Sequence, residues 1–171
     1  MENRKRATQA VILAGGLGVR LKPLTELCPK PLISVRGRPF VAYLLERLQQ
    51  QEFKEVVFLL GYQAEAFQKT LGDGSQFKMK FVFVETPTQW ETGARLHHAR
   101  RFLDDYFFLL YGDNYWPFEF STLWENYLKT GRKAQVVVYR NDDGYSRSNM
   151  SLATDGAVKA YDKSRTTANL E

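Results

Sequence analysis

Cysteine is almost absent from this sequence of 171 residues, in which Cys28 is the only one. An intrachain disulfide is therefore excluded, which is typical of proteins from a reducing cytoplasm. Histidine is also scarce, since His97 and His98 are the only two. Because they are adjacent, they would point to different faces of a helix and cannot form the i, i+4 pair that binds a metal.

Long apolar runs are missing as well. None approaches the roughly 20 residues that a membrane-spanning helix needs, and the basic residues at 4–6 are not followed by the apolar segment of a signal peptide. The net charge of +5 is mild and lacks the clustered basic stripe of a nucleic-acid binder, although it suits anionic substrates. We therefore expect a cytoplasmic protein that binds neither membranes nor nucleic acids.

The segments that are present alternate between strand-like apolar runs and amphipathic helices. This alternation predicts an α/β fold, with a mostly parallel sheet covered by helices on both faces. The predicted strands are 9–13, 55–60, 78–84, 106–111 and 135–140, of which 106–111 is the most apolar and is expected at the centre. The predicted helices are 40–51, 63–71, 93–102 and 121–129, the last capped by Ser121. A hairpin is predicted around Asp155-Gly156, and residues 1–171 are expected to form one domain.

The segment Ala14–Gly18, sequence AGGLG, follows the first predicted strand. Its glycines let the backbone approach a ligand and present N–H groups to anionic oxygens. Arg20 can grip a phosphate with two parallel hydrogen bonds, and Lys30, held between two prolines, supplies a point charge. A dinucleotide-binding fingerprint would need a small residue where Leu21 stands, and a P-loop would need Gly-Lys-Ser/Thr. The segment is therefore predicted to be a phosphate cradle of a third kind.

Two further segments follow predicted strands at their carboxyl ends, where ligands bind in parallel sheets. They are residues 85–94 and 112–114, and both are expected to converge on the glycine segment. Asp113 comes directly after the most apolar strand, where a carboxylate is a natural Mg²⁺ ligand. The alternative for Asp113 is an aspartate that caps the following turn.

The motif LAGGLGVRLKPLT with PKPL resembles the opening motif of the sugar-phosphate nucleotidyltransferases. In appearance it is most similar to the mannose- or heptose-1-phosphate guanylyltransferases and the muramic-acid-phosphate uridylyltransferases, and the resemblance runs from about Thr8 to Lys163. It implies a Rossmann-like, GT-A-like sheet. It also implies transfer of a nucleoside monophosphate from a nucleoside triphosphate to a sugar 1-phosphate, with release of pyrophosphate. GTP and a hexose or heptose 1-phosphate are weakly favoured.

The resemblance also implies roles for individual residues. Arg20 would neutralise the leaving pyrophosphate, Lys30 would stabilise the α-phosphoryl oxygens, and Asp113 would hold Mg²⁺. The residues expected to bind the nucleotide are Leu13, Ala14, Gly15, Gly16, Gly18, Thr92 and Gly93. Those expected to bind the sugar phosphate are Asn149, Asp162 and Lys163.

The sequence departs from the family pattern in several places. Arg95 replaces a small residue and is expected either to contact phosphate or sugar or to narrow the pocket, and Val19 replaces a hydroxyl residue. The family has a second metal-binding aspartate that nothing after Lys163 supplies, so we expect a truncated chain, a fragment or an incomplete catalyst, with weak nucleotide binding and little turnover. Alternatives are a catalytically degenerate module that binds sugar nucleotides or regulates, and a UTP- or CTP-dependent relative, including a cytidylyltransferase for an alcohol phosphate.

The aromatic segment 115–120 allows two interpretations, a lining of the sugar pocket and a subunit contact. Aromatic residues are enriched at protein interfaces, which favours the second interpretation and predicts a homo-oligomer.

Overall fold

The computed structural model describes residues 6–142 and 147–164, and the chain forms two compact units, Met1–Thr130 and Gly131–Glu171. The expectation of a single domain remains a prediction. The strands of the first unit are β1 (Gln9–Leu13), β2 (Ser34–Val35), β3 (Arg38–Pro39), β4 (Glu55–Leu60), β5 (Lys80–Glu85) and β6 (Phe108–Tyr111). Four of them form one parallel sheet, as the sequence predicted, and their order is β5-β4-β1-β6. Strands β2 and β3 form a small antiparallel pair.

The helices of the first unit lie between these strands in the sequence, except for the last helix, which follows β6. They are α1 (Leu24–Leu27), α2 (Phe40–Gln50), α3 (Ala64–Leu71), α4 (Thr92–Ala99) and α5 (Phe120–Thr130). Short 3-10 helices span Val19–Leu21, Lys30–Leu32, Ser75–Phe77 and Arg100–Phe102. No helix among the described residues is long and apolar enough to cross a membrane.

Both faces of the sheet are buried. On β1, Ile12 packs into a cluster with residues of α2, α3 and α5, whereas Val11 packs into a second cluster with residues of α4. Successive side chains of a strand point to opposite faces, so helices cover both sides of the sheet. This confirms the predicted layers and explains why β1 and β4 are almost continuously apolar.

The register of the sheet positions the loops that follow β1 and β6. Leu13 pairs with Leu59 of β4 on one side and with Tyr111 of β6 on the other. The carboxyl ends of β1 and β6 therefore lie at the same edge, and the segments after Leu13 and Tyr111 leave the sheet side by side.

The prediction that the most apolar strand is central was wrong. Among the described strands β6 lies at the edge of the sheet, next to β1 alone. The strand is apolar because its side chains pack on aromatic rings of the core. Phe108 packs edge to face on Phe53 and Phe120, with ring centroids 5.5 and 4.9 Å away. Tyr106 precedes the strand and contacts the ring of Trp124.

Two rings of the aromatic segment after β6 fit neither interpretation, and for the exposed Tyr115 both interpretations stay predictions. Trp116 and Phe120 are buried in the core of the first unit, so these two rings neither line a sugar pocket nor form a subunit contact.

Because α5 starts at Phe120, Ser121 lies inside the helix and does not cap it. One other predicted boundary shifts for a local reason: because Lys78 has a left-handed backbone, φ 54°, the strand predicted at 78–84 starts only at Lys80.

The second unit contains the predicted hairpin, formed by β7 (Met150–Leu152) and β8 (Val158–Tyr161). The predicted strand at 135–140 is wrong, since these residues are neither strand nor helix. Val136, Val137 and Val138 are 41–53% exposed. A strand is stabilised by a neighbouring strand and by a half-buried surface, and residues 135–140 have neither within the described part of the chain.

Candidate active site

A cleft of about 410 Å³ opens in the first unit at the carboxyl ends of β1 and β6. Four stretches of chain line it: residues 13–16 and 18–21, Lys30 with Pro31, residues 88–92 with Arg95, and Tyr111 with Asp113. The three segments that the sequence predicted to converge therefore do meet.

The start of the glycine segment is fixed by backbone hydrogen bonds on both sides. The Ala14 N–H donates to the Leu59 carbonyl of β4 over 3.0 Å, and the Leu13 carbonyl accepts from the Gly112 N–H, also over 3.0 Å. Because Gly112 directly precedes Asp113, the same bond that holds Leu13 positions the proposed metal ligand.

The three glycines of this segment have three different functions. A side chain on Gly15 would collide with Arg95, whose Nη1 would lie 2.2 Å from the new Cβ, so Gly15 is required by the protein's own packing. Gly18 adopts a left-handed backbone, φ 63°, and its carbonyl accepts a hydrogen bond from Thr25 Oγ1. Gly16 is exposed and has open space at its Cβ position. Of the three, Gly16 has the geometry expected of a residue that a ligand approaches.

Lys30 and Asp113 meet across the cleft. Lys30 Nζ lies 2.7 Å from Asp113 Oδ2, and the two side chains are 29% and 36% exposed. Lys30 is held on a 3-10 helix whose flanking Pro31 is buried in the core. Arg20 lies on the exposed 3-10 helix after Gly18 and also lines the cleft. The glycine side of the cleft thus carries two cations and one carboxylate.

The donor set around Asp113 fits Mg²⁺. No group of three or more carboxylate, histidine or cysteine side chains suited to a metal occurs among the described residues. Mg²⁺ typically uses one or two carboxylates together with substrate phosphates and water, and does not require an all-protein cage. The single accessible carboxylate of Asp113, beside the glycine segment and two cations, fits this requirement.

The opposite wall of the cleft consists of residues 88–92, which lead into α4. It carries the polar side chains of Thr88, Gln89 and Thr92, the ring of Trp90 and the carboxylate of Glu91. Thr92, the first residue of α4, lines the cleft as the sequence predicted, whereas its neighbour Gly93 is not among the lining residues. This wall contains no lysine or arginine.

Arg95 follows this wall on α4, also lines the cleft and is only 6% exposed. Its guanidinium donates to protein oxygens, among them the carbonyls of Trp90 and Leu60 at 2.9 and 3.0 Å. Burial lowers the pKa of Arg95 below its ordinary value, and the nearby Glu91 carboxylate opposes that shift. Its donors are bonded to protein oxygens, and the expectation that Arg95 either contacts phosphate or sugar or narrows the pocket stays a prediction.

The predicted sugar-phosphate residues lie in the second unit, where the hairpin brings them together. The Asp162 N–H donates to the Asn149 carbonyl over 2.8 Å, and Asp162 Oδ1 accepts from the Ser164 N–H. Lys163 follows directly and is exposed. Their role toward a sugar phosphate remains a prediction.

Several residues that line the cleft escaped the sequence analysis, notably Trp90 and Tyr111. Tyr111 is the last residue of β6 and is 56% exposed. Their positions gave the available signal, because Trp90 lies within the predicted segment 85–94 and Tyr111 directly precedes the predicted segment 112–114.

Comparison with known proteins agrees with this geometry. Residues 9–148 match the family model described as nucleotidyl transferase. The D-glycero-alpha-D-manno-heptose 1-phosphate guanylyltransferase of Campylobacter jejuni is 31% identical over 116 residues, which cover 67% of this chain and 52% of that protein. The N-acetylmuramate alpha-1-phosphate uridylyltransferase of Neisseria meningitidis is 30% identical over 155 residues, covering 88% of this chain and 67% of that one.

Solved structures show the same similarity. HddC from Yersinia pseudotuberculosis, complexed with GMP-PN, superimposes with a TM-score of 0.64 at 28% identity, covering 71% of this chain and 55% of HddC. The chain spans about half the length of the first curated relatives that it matches.

Proposed function

Because this chain belongs to the nucleotidyl transferase family, we propose that it forms the nucleotide-binding part of a sugar-1-phosphate nucleotidyltransferase. Such an enzyme transfers a nucleoside monophosphate from a nucleoside triphosphate to a sugar 1-phosphate. The observation that supports this most directly is the cleft itself, in which Arg20, Lys30 and Asp113 flank the open backbone at Gly16. These groups are what a magnesium triphosphate requires.

The proposed chemistry is an in-line displacement. An oxygen of the sugar 1-phosphate forms a bond to the α-phosphorus, the bond from that phosphorus to the bridging oxygen breaks, and pyrophosphate leaves with the bonding electrons. Reactions of this kind depend mainly on positioning and on neutralising charge. Lys30 stabilises the oxygens of the α-phosphoryl group, and Arg20 neutralises the leaving pyrophosphate.

Asp113 would hold Mg²⁺, which when bound neutralises and orients the phosphate oxygens. Asn149, Asp162 and Lys163 would receive the sugar phosphate, while Leu13 and Ala14 would position the glycine segment for the nucleotide.

The nucleotide that we favour is GTP, with a hexose or heptose 1-phosphate as acceptor. Support comes from the guanylyltransferase of Campylobacter jejuni and from HddC, which was crystallised with GMP-PN. The similarity to a uridylyltransferase makes UTP the next candidate. We also propose a cytoplasmic location, because a sequence with one cysteine is compatible with a reducing environment.

The function can be tested by thermal unfolding of the chain with each of the four nucleoside triphosphates, with and without Mg²⁺. A ligand at 100 times its dissociation constant stabilises a protein by about 2.7 kcal/mol, and we expect this for one triphosphate only when Mg²⁺ is present. Asp113→Asn should abolish the shift, whereas Asp105→Asn, the same change at an exposed site outside the cleft, should not. No Mg²⁺-dependent shift with any of the four would overturn the proposal.

A further inference from the structure

All five N–H donors of the Arg95 guanidinium are matched by acceptors. Nε donates to the Trp90 carbonyl, Nη1 to the Leu60 carbonyl and to Thr86 Oγ1, and Nη2 to the carbonyls of Gly15 and Thr88, the last over 3.0 Å. The Gly15 contact is the longest, at 3.5 Å. No acceptor of the set is a carboxylate. Burying a charge costs free energy unless the charged group is well hydrogen-bonded. The Arg95 guanidinium meets this condition, because each of its five N–H groups has an acceptor.

The acceptors belong to three separate stretches of chain. Leu60 is the last residue of β4, Gly15 lies in the glycine segment, and Thr86, Thr88 and Trp90 belong to the segment that forms the opposite wall of the cleft. The contact with the glycine segment is close, because no side chain would fit at Gly15 beside the guanidinium. Arg95 thus connects both walls of the cleft to the end of the sheet.

Thr86 extends this connection. Its hydroxyl is buried, accepts from Arg95 Nη1 and donates to the Leu60 carbonyl over 2.8 Å. The segment 86–90 is therefore held by a fork of hydrogen bonds whose planar geometry only arginine provides. Lysine has three donors on one atom and cannot span these positions.

The two walls differ in chemistry. The glycine wall and the end of β6 provide Arg20, Lys30 and Asp113, which suit the triphosphate and its metal. The wall at 88–92 offers an aromatic ring, amide and hydroxyl groups and a carboxylate, and no cation. Such groups suit a nucleoside, because its base and ribose hydrogen-bond to polar side chains and its base stacks on aromatic rings. A triphosphate bound across the cleft would contact both walls.

We propose that Arg95 is a positioning residue that selects the nucleoside: it fixes the 88–92 wall relative to the glycine segment, and thereby determines which base fits between them. This inference rests on the proposed nucleotide-binding function. It assigns Arg95 no contact with phosphate, so loss of Arg95 affects discrimination among bases more than affinity for the triphosphate group.

The experiment compares dissociation constants of the wild-type chain and of Arg95→Lys for ATP, GTP, CTP and UTP, and for inorganic tripolyphosphate, all with Mg²⁺. We expect the wild type to prefer one nucleotide at least tenfold. Arg95→Lys should reduce that preference to about threefold or less, while the affinity for tripolyphosphate changes less than twofold. Arg101→Lys, the same substitution at an exposed site, is the control and should retain the wild-type preference.

Thr86→Val provides a second variant that keeps the arginine and removes one acceptor with little change in shape. It should reduce the preference to a level between those of the wild type and Arg95→Lys, which tests the inference even if Arg95→Lys does not fold.

The opposing results are distinct. Three results would overturn the inference but leave the proposed function standing. The first is an unchanged nucleotide preference in both folded variants, and the second is equal binding of the four nucleotides by the wild type. The third is a loss of tripolyphosphate affinity as large as the loss of nucleotide affinity. Failure of the wild type to bind any nucleotide would overturn the proposed function, and the inference with it.

Discussion

Lys30 and Asp113 are 83 residues apart in the sequence, yet their side chains form an ion pair with 2.7 Å between Nζ and Oδ2. The carboxylate proposed to hold the metal is therefore already neutralised by the cation proposed to act on the α-phosphoryl group. Both side chains are partly exposed, so the pair can separate without a large desolvation cost. A magnesium triphosphate would supply each of them with a new partner of opposite charge.

This arrangement predicts that Lys30 opposes binding of a free metal ion. Two unit charges 4 Å apart in water interact by about 1 kcal/mol, which corresponds to about a fivefold change in affinity. Lys30→Met should therefore bind free Mn²⁺ about fivefold more tightly than the wild type, because a competing cation has been removed. Its affinity for a magnesium triphosphate should fall. Electron paramagnetic resonance of unbound Mn²⁺ measures the first effect directly.

The control for this experiment is Lys22→Met, which removes an exposed lysine paired with Glu26 and should leave Mn²⁺ binding unchanged. Asp113→Asn should eliminate the site. If Lys30→Met bound free Mn²⁺ no better than the wild type, the ion pair would not restrict the metal.

We expect substitutions of Gly16 and Gly15 to affect stability and ligand binding differently. Gly16→Ala introduces a methyl group into open space, so the free energy of unfolding should change by less than about 1 kcal/mol, the ordinary range for glycine-to-alanine changes. The affinity for a magnesium triphosphate should nevertheless fall severalfold, because the methyl group would occupy the space in which we propose that the phosphates bind. Urea unfolding and nucleotide titration of the same variant measure the two effects.

Gly15→Ala should behave in the opposite way. Its methyl group would lie 2.2 Å from Arg95 Nη1, and overpacking of this kind typically costs about 1–3 kcal/mol. In a double-mutant cycle with Arg95→Ala, the cost of Gly15→Ala should largely disappear, because the colliding group is gone. Additive effects would show that the two residues do not interact.

The sheet and its layers were predictable because buried parallel strands read as continuous apolar runs. Glu55–Leu60 and Gln9–Leu13 were located to the residue in this way. The order of the strands was not predictable, since an edge strand such as β6 can be as apolar as a central one when aromatic rings pack on it. Residues 135–140 show the converse: strand-like composition is insufficient where no described neighbour pairs with the segment.

The convergence of three separate segments on one cleft was predictable from the sequence. The match to the nucleotidyl transferase model confirms the family resemblance drawn from the glycine and Pro-Lys-Pro motifs, while the roles of the cleft residues toward phosphate stay predictions. The role of Arg95 was not predictable. Its sequence position, four residues before the buried Ala99, places it on the inner face of α4. Only the folded chain shows that Leu60, Thr86 and Gly15 converge around it.

Cys28 lies two residues before Lys30, and its burial predicts how its thiol reacts. Burial raises the pKa of the Cys28 thiol above its ordinary value. A raised pKa means less thiolate at neutral pH, and the thiolate is the reactive form. Cys28 should therefore react with an aromatic disulfide reagent more slowly than a free cysteine at pH 8, and the rate should continue to rise up to at least pH 9. A rate that levelled off below pH 8 would instead indicate a thiolate stabilised by a neighbouring cation. Unfolding in urea should remove the difference.

The aromatic residues after β6 predict which part of segment 115–120 maintains the fold. Phe120 is fully buried and contacts the rings of Phe53 and Phe108 at centroid distances of 4.9 Å, whereas Tyr115 is 54% exposed. Replacing a buried phenylalanine by alanine typically costs about 3–5 kcal/mol, so Phe120→Ala should lower the free energy of unfolding by this amount in urea denaturation.

Tyr115→Ala is the matched change at an exposed ring and should alter the free energy of unfolding by less than about 0.5 kcal/mol, as surface substitutions usually do. If the segment formed a subunit contact through its exposed ring, Tyr115→Ala would instead shift the sedimentation coefficient toward that of a smaller species, and the stability of the wild type would depend on protein concentration. Phe120→Leu, which keeps an apolar side chain in the core, should leave the sedimentation coefficient unchanged. A concentration-dependent stability that Tyr115→Ala abolishes would restore the subunit-contact interpretation for Tyr115, while the burial of Phe120 would still account for the larger loss in Phe120→Ala.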